Sequence, residues 1–277
     1  MNPMIRKELR QRMRERRSWV LPTLYLLVLG ASVALAYYFS TQGLPFQTEP
    51  KQGAEVGVVV FMTVAYCQLT LLLLLAPVFS AGSITIEKEQ RTLAMLLTSL
   101  LSAAEIWFGK FVSALLFLSL LLISALPVLA LAFSLGGIGP MELVRTTAMT
   151  LLILASMSAV GLYFSSIFRR SVHSTAVSYA AVIALSGLTF IAFLILQSRW
   201  QSRQAQLSRT AHTVAADMPR YYTSPLYLNP YYALSSTLLH EHQKFPDWAF
   251  CSLVFAALGI LAAFLAFRNI RRRGESG

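Results

Sequence analysis

Few residues of this 277-residue chain have the types and spacings that bond chemistry requires. His240 and His242 flank Glu241 as potential metal ligands, but alternate residues point apart on a helix and no further ligand lies nearby. A solvated helix end explains them better. The one Gly-Lys pair, Gly109-Lys110, is followed by Phe and lacks the upstream glycine of G-x-x-x-x-G-K-[ST], so no phosphate-cradling loop is present. Neither H-E-x-x-H nor G-x-S-x-G occurs, and no histidine falls well inside an apolar run. No acidic or basic side chain sits deep in an apolar run, which argues against a proton pump or ion-coupled carrier. Polar side chains are present there: Tyr66, Gln68 and Thr70 in one run, Ser178 and Ser186 in another. They could line a path, and they serve equally well as interhelical hydrogen-bond partners. Cys67 and Cys251 both lie in or near apolar runs, so neither a disulfide framework nor a metal site follows.

The segment that stands out is Ile84–Lys110, charged and amphipathic, between two long apolar runs. It is too polar to enter lipid and too regularly patterned for a slack loop. Ser102 and Glu105 form the Ser-x-x-Glu capping box, which ends one helix and starts another. The pattern predicts a helix over 84–97, a turn at 98–101 and a second helix running into the next apolar run. Ile86, Leu93, Leu96, Leu97 and Leu100 share one side of the first helix, and Glu87, Lys88, Gln90, Arg91 and Ala94 share the other. Such a segment is expected to be presented to a partner.

The elements that position it follow from composition. Only 13% of the residues are charged, against about 25% in a soluble domain. Six stretches of 20 or more residues contain no Asp, Glu, Lys or Arg, each enough to cross ~30 Å of hydrocarbon as a helix. The expected fold is therefore an all-α integral membrane protein, one transmembrane domain over 1–277. Spans are placed at about 20–39, 56–80, 110–134, 146–168, 174–196 and 248–267. Pro77 and Pro127 are expected to kink the second and third spans. Ala155 and Ala159 suit close helix packing in the fourth. The uncharged run after Arg17 continues to Gln47, too long for a signal-peptide core, so the first helix is expected to be retained.

Charge sets the orientation. Of 23 basic residues, 16 fall before the first span, after the last, or between spans two and three or four and five. That bias places both termini and 83–109 in the cytoplasm and the long 197–246 loop outside, in a plasma (inner) membrane. The net charge of +11 is thus a topology signal with some affinity for anionic lipid, and not a nucleic-acid footprint. Residues 1–18 read as an interfacial entry helix whose Ile5, Leu9 and Met13 share one face. In the outer loop, 197–220 could extend span five. Five tyrosines at 221–232 fit an interfacial belt. Asn229-Pro230 is an N-cap and N1 pair for a short helix that lies in the outer interface or re-enters the bilayer.

At Ile84–Lys110 the sequence resembles the cytoplasmic hairpin of ABC-2-type transporter permeases. Glu87, Glu89, Thr92, Leu93, Leu96, Leu97, Leu101, Ser102, Glu105, Ile106, Gly109 and Lys110 match that pattern without a gap. Arg91 stands where the family usually has Gly, and Leu100 where it has Pro. Ile5-Arg6-Lys7-Glu8-Leu9-Arg10 is similar to the family's entry helix, and the Asn229-Pro230 helix to the one before its last span. The resemblance implies a non-catalytic permease paired with a second copy or a paralogue, embedded in membrane lipid, and driven by a separate cytoplasmic ABC ATPase. ATP and Mg would be bound by that partner, and no cofactor by this chain. It also implies that the ATPase meets Glu87, Lys88, Glu89, Arg91, Thr92, Leu93, Leu96 and Leu97. The competing expectation is a membrane scaffold or assembly factor that binds a partner through 84–97 without transport. An intramembrane enzyme lacks any catalytic constellation.

Overall fold

A computed structural model of the chain describes residues 17–42, 54–90, 103–136, 138–211, 224–238 and 246–275. The described residues are helical, with no strand among them. Helix α1 spans Arg17–Gln42, α2 Ala54–Ser80, α3 Thr85–Glu89, α4 Ala103–Ser124, α5 Leu126–Ser134, α6 Pro140–Ile167 and α7 Ser171–Ala211. A 3-10 turn at Ser224–Leu228 and the short α8, Pro230–Ser235, precede α9, Asp247–Glu275. Six stretches are long and apolar enough to cross a membrane, one around each expected span. The interfacial helix expected at 1–18 lies almost wholly outside the described residues, as does the His240–His242 cluster.

The two prolines act differently. Pro127 has no N–H to offer, and the helix divides just before it into α4 and α5, with Ala125 N–H shared between the carbonyls of Leu121 (3.2 Å) and Leu122 (3.3 Å). Helix α2 instead continues through Pro77 to Ser80, and Ala81 N–H still reaches the Pro77 carbonyl at 2.9 Å. At the opposite end of α2, Gly57 lies against the turn after α5. A Cβ on it would sit 1.9 Å from the Gly136 carbonyl oxygen, and Gly136 itself has φ 91°. Both positions need glycine.

Helix α6 is the centre of the bundle and packs most extensively on α9, with α2, α7 and α4 around it. In its apolar window 56% of the residues are buried, against none in the window of α7. Lipid competes with protein for apolar surface, so small residues and polar contacts hold such helices together. The α6–α9 seam uses both: Ser156 Oγ donates to the Phe255 carbonyl at 2.7 Å, and Gly259 lets the two backbones approach beside it. Ala159 is buried and Ala155 half-buried, so the expected small-residue pair does lie on a packed side of α6. The main core gathers Leu29, Phe61, Leu72, Leu118, Ile153 and Phe255 between these helices.

Helix α7 runs on to Ala211, so the first part of 197–246 extends span five. Residues 224–238 then return into the bundle. Asn229 caps α8, its Oδ1 accepting from Tyr231 N at 2.9 Å, while its Nδ2 donates to the Ser186 carbonyl (2.9 Å) and Thr189 Oγ1 (3.0 Å) of α7. Tyr231 Oη meets Thr70 Oγ1 of α2 at 3.0 Å, ten residues or ~15 Å from the Ser80 end of that helix. The segment thus packs between α2 and α7, well along both helices.

Candidate coupling site

After Ser80 the chain turns sharply and forms α3, a single helical turn that cannot hold itself together. Its first N–H groups have no side-chain cap of their own. Ser165 Oγ of α6 serves instead, accepting from Ile84 N at 3.0 Å and Thr85 N at 3.1 Å. Gly161, one turn earlier on α6, lets Ser80 approach so closely that a Cβ there would be 2.0 Å from Ser80 Oγ. Ser174 Oγ of α7 donates to the Ala81 carbonyl at 2.8 Å. The turn is therefore held on two sides before any charge is considered.

The charges complete the arrangement. Lys88 Nζ donates to the carbonyls of Ser165 (2.6 Å), Ser166 (2.8 Å) and Phe168 (2.9 Å), where α6 ends. The last carbonyls of a helix lack intrahelical donors and carry the negative end of its dipole, so an ammonium is well placed there. Glu89 does the converse at the start of α7, its Oε1 accepting from Ser171 N (2.7 Å) and Ser171 Oγ (3.0 Å). A carboxylate at a helix N-terminus satisfies free N–H groups and the positive end of the dipole. Glu87 Oε1 accepts from Lys110 Nζ of α4 at 2.8 Å, and the same ammonium reaches the Ser83 carbonyl at 2.7 Å. Lys110 is only 2% exposed, so this pair lies in low dielectric, where removing one member costs about 3–5 kcal/mol. Below it Ile84, Leu162 and Ile270 form a small apolar cluster flanked by the stacked rings of Trp107 and Phe111.

The expected face assignment changes here. Glu87 and Lys88 do not project outward as an amphipathic helix would carry them; both turn into the bundle. Their physical reason is the supply of helix ends within reach. Glu89 and Gln90 remain exposed, and Ile86 is 46% exposed. Arg91, Thr92, Leu93, Leu96 and Leu97, with the remainder of the helix expected over 84–97 and the Ser102 cap, lie outside the described residues.

The polar residues considered for a path are placed in contacts within this chain. Gln68 is 3% exposed and Tyr66 lies 6.2 Å, ring to ring, from Tyr231. Thr70 makes the interhelical bond to Tyr231. Ser178 and Ser186 return their hydroxyls to the carbonyls of Ser174 and Val182 on their own helix, and the Ser186 carbonyl receives Asn229.

Sequence reasoning passed over Ser165, Ser171 and Ser174, which carry much of the site. Their signal was position: hydroxyl residues on both sides of Arg169-Arg170, where one span ends and the next begins. It also passed over Asp247, which accepts from Tyr232 Oη at 2.9 Å and Tyr227 Oη at 3.2 Å at the other end of the bundle. Burial and that bond to Asp247 raise the Tyr232 hydroxyl's pKa, keeping it a donor. No cluster of His, Cys, Asp or Glu suited to a metal occurs among the described residues.

No curated protein matches the chain. The family described as ABC-2 family transporter protein matches residues 3–271, nearly its whole length. Six membrane-crossing helices in that frame make the chain a multi-pass transport subunit. It belongs to the ABC-2 family of transporter membrane proteins.

Proposed function

We propose that this chain is the permease of an ABC exporter, itself without catalytic activity, driven by a separately encoded cytoplasmic ATPase that binds ATP and Mg. The observation that carries the reading is the stapling of Ile84–Glu89 to the end of α6, the start of α7 and Lys110 within α4. A polar element fixed to three spans at once is a suitable input point for force from outside the membrane. Docking would use Ile86 on α3 and Gln90 just after it, both exposed, together with the residues that follow in sequence, Arg91, Thr92, Leu93, Leu96 and Leu97. This end faces the cytoplasm in our reading, in line with the basic residues beside it and with both termini. The protein sits in the plasma (inner) membrane, where its basic residues would meet anionic lipid and not nucleic acid.

The permease pairs with a second copy or a paralogue. The contact would run along α7 and the adjoining face of α2, where Leu74 and Val78 are half exposed and Tyr179 Oη reaches the Leu74 carbonyl at 2.7 Å. The test is reconstitution with candidate cytoplasmic ABC ATPases from the same genome. ATPase copurification, and ATP hydrolysis that rises when this chain is present in the same vesicle, support the permease. Stable binding with no change in hydrolysis would make the chain a scaffold instead. A complex holding a single permease copy would remove the pairing.

A further inference from the structure

We infer that Lys88, Glu87 and Glu89 are positioning residues and not ATPase contacts: they lock α3 to α4, α6 and α7 so that any displacement of α3 moves the end of α6, the start of α7 and the body of α4 together. The inference rests on the permease reading for its consequence and on the geometry for its substance. A lysine ammonium has three N–H donors, and three backbone carbonyls stand at 2.6, 2.8 and 2.9 Å from Lys88 Nζ. An ATPase could recruit this group only by first releasing the end of α6. Glu87 is held in the same way, because its partner Lys110 is buried and also bound to the Ser83 carbonyl. Glu89 is exposed, yet its carboxylate spans both donors of Ser171. Three consecutive side chains thus go to three different helices: Glu87 to α4, Lys88 to α6 and Glu89 to α7.

This order has a mechanical meaning. The link between α2 and α3 is a short turn, and a turn alone would let α3 tilt. With its N-terminal N–H groups on Ser165 and its charges on two helix ends and on Lys110, α3 cannot tilt without breaking charge-assisted bonds, which are roughly twice as strong as neutral ones. The hinge between α6 and α7, at Phe168–Arg170, is straddled by Lys88 on one side and Glu89 on the other. Force arriving on Ile86 or Gln90 would therefore pass into α7 at its very first residue.

The test compares Lys88→Met with Lys88→Arg in nanodiscs, each with and without the ATPase. Hydrogen exchange of the chain alone reads the lock directly. We expect Lys88→Met to speed exchange at Ile84–Glu89 and Ser171–Ser174 by about ten-fold or more, and Lys88→Arg to stay near the parent. With the ATPase, Lys88→Met should keep copurification within about two-fold but lose the ATP-dependent change in maleimide reactivity of a cysteine placed at Ser198 on α7. That cysteine is introduced after Cys67 and Cys251 have been replaced. Unchanged exchange in Lys88→Met would overturn the inference. So would a loss of copurification in Lys88→Met with exchange unchanged, because Lys88 would then be a docking contact. If the parent chain binds no ATPase, the permease reading falls, and exchange still decides the lock. Comparable exchange defects in Lys88→Arg and Lys88→Met would also count against it, since a second cation should recapture the carbonyls.

Discussion

The two ends of the bundle are tied by different chemistry. At the α3 end charged ties add to the serine bonds: Lys88 to the last carbonyls of α6, Glu89 to the first N–H of α7, and Glu87 to Lys110, buried within α4. At the other end the re-entrant 224–238 segment is held mostly by neutral groups along the sides of helices. Asn229 meets α7, Tyr231 meets Thr70 of α2, and Thr237 meets Thr146 of α6 at 3.0 Å, while Asp247 adds a carboxylate. Neutral side-chain bonds between membrane helices average only about 0.6 kcal/mol each, because the separated helices also find partners. A buried ion pair resists removal of one member by several times that. The comparison teaches that this fold is held stiffly at the α3 end and latched more loosely at the other.

The sharpest way to break that contrast is Lys110→Met. The methionine fits the apolar surroundings, but the Glu87 carboxylate loses its ammonium and Ser83 a donor. We expect a loss of about 3–5 kcal/mol, read as a large drop in thermal stability in nanodiscs. Next is Gly161→Ala. A Cβ there meets Ser80 Oγ at 2.0 Å and Ser80 Cβ at 2.9 Å, so overpacking should cost about 1–3 kcal/mol. Adding Ser80→Ala should restore part of the loss, since the nearer clash disappears and the farther one remains. No gain from that second change would mean the two helices do not approach as described. Both variants should leave the opposite end unaltered in hydrogen exchange.

How much of this was legible in the sequence follows from the kind of signal each feature leaves. Six charge-free stretches leave an unmistakable one, and the six spans lie where those stretches are. Asn229-Pro230 is local chemistry, and it does cap α8. The division at Pro127 was foreseeable because a missing N–H is a property of the residue itself. The fate of Glu87 and Lys88 was not. Helical periodicity places side chains by angle alone, and a one-turn helix pressed against three others obeys its neighbours instead. Ser165 and Ser174 are ordinary serines until α2, α6 and α7 converge on them. Position 88 needed the three-dimensional knowledge that α6 ends beside it.

The smaller predictions sharpen the contrast from the looser end. Asn229→Ala removes an N-cap, at about 1 kcal/mol, together with two bonds to α7. Faster exchange of 230–238 with no change at Ile84–Glu89 is the expected pattern, measured in one experiment. Equal effects at both ends would dissolve the distinction between a stiff end and a latched one.

Tyr231→Phe is the mildest change and the most informative about the latch. It keeps the ring against Tyr66 and deletes only the oxygen that meets Thr70. Thr70 still has the Tyr66 carbonyl of its own helix at 2.8 Å, so no buried hydroxyl is left without an acceptor. The cost should thus stay near the single-bond figure of about 0.6 kcal/mol, too small to change assembly. Such a loss still shifts an open–closed balance about three-fold, because 1.4 kcal/mol corresponds to ten-fold. Hydrogen exchange at 230–238 would report it as a modest rise of about that size. If Tyr231→Phe instead destabilised the protein as strongly as Lys110→Met, the re-entrant segment would be a structural pillar rather than a latch, and the mechanical asymmetry between the ends would be lost.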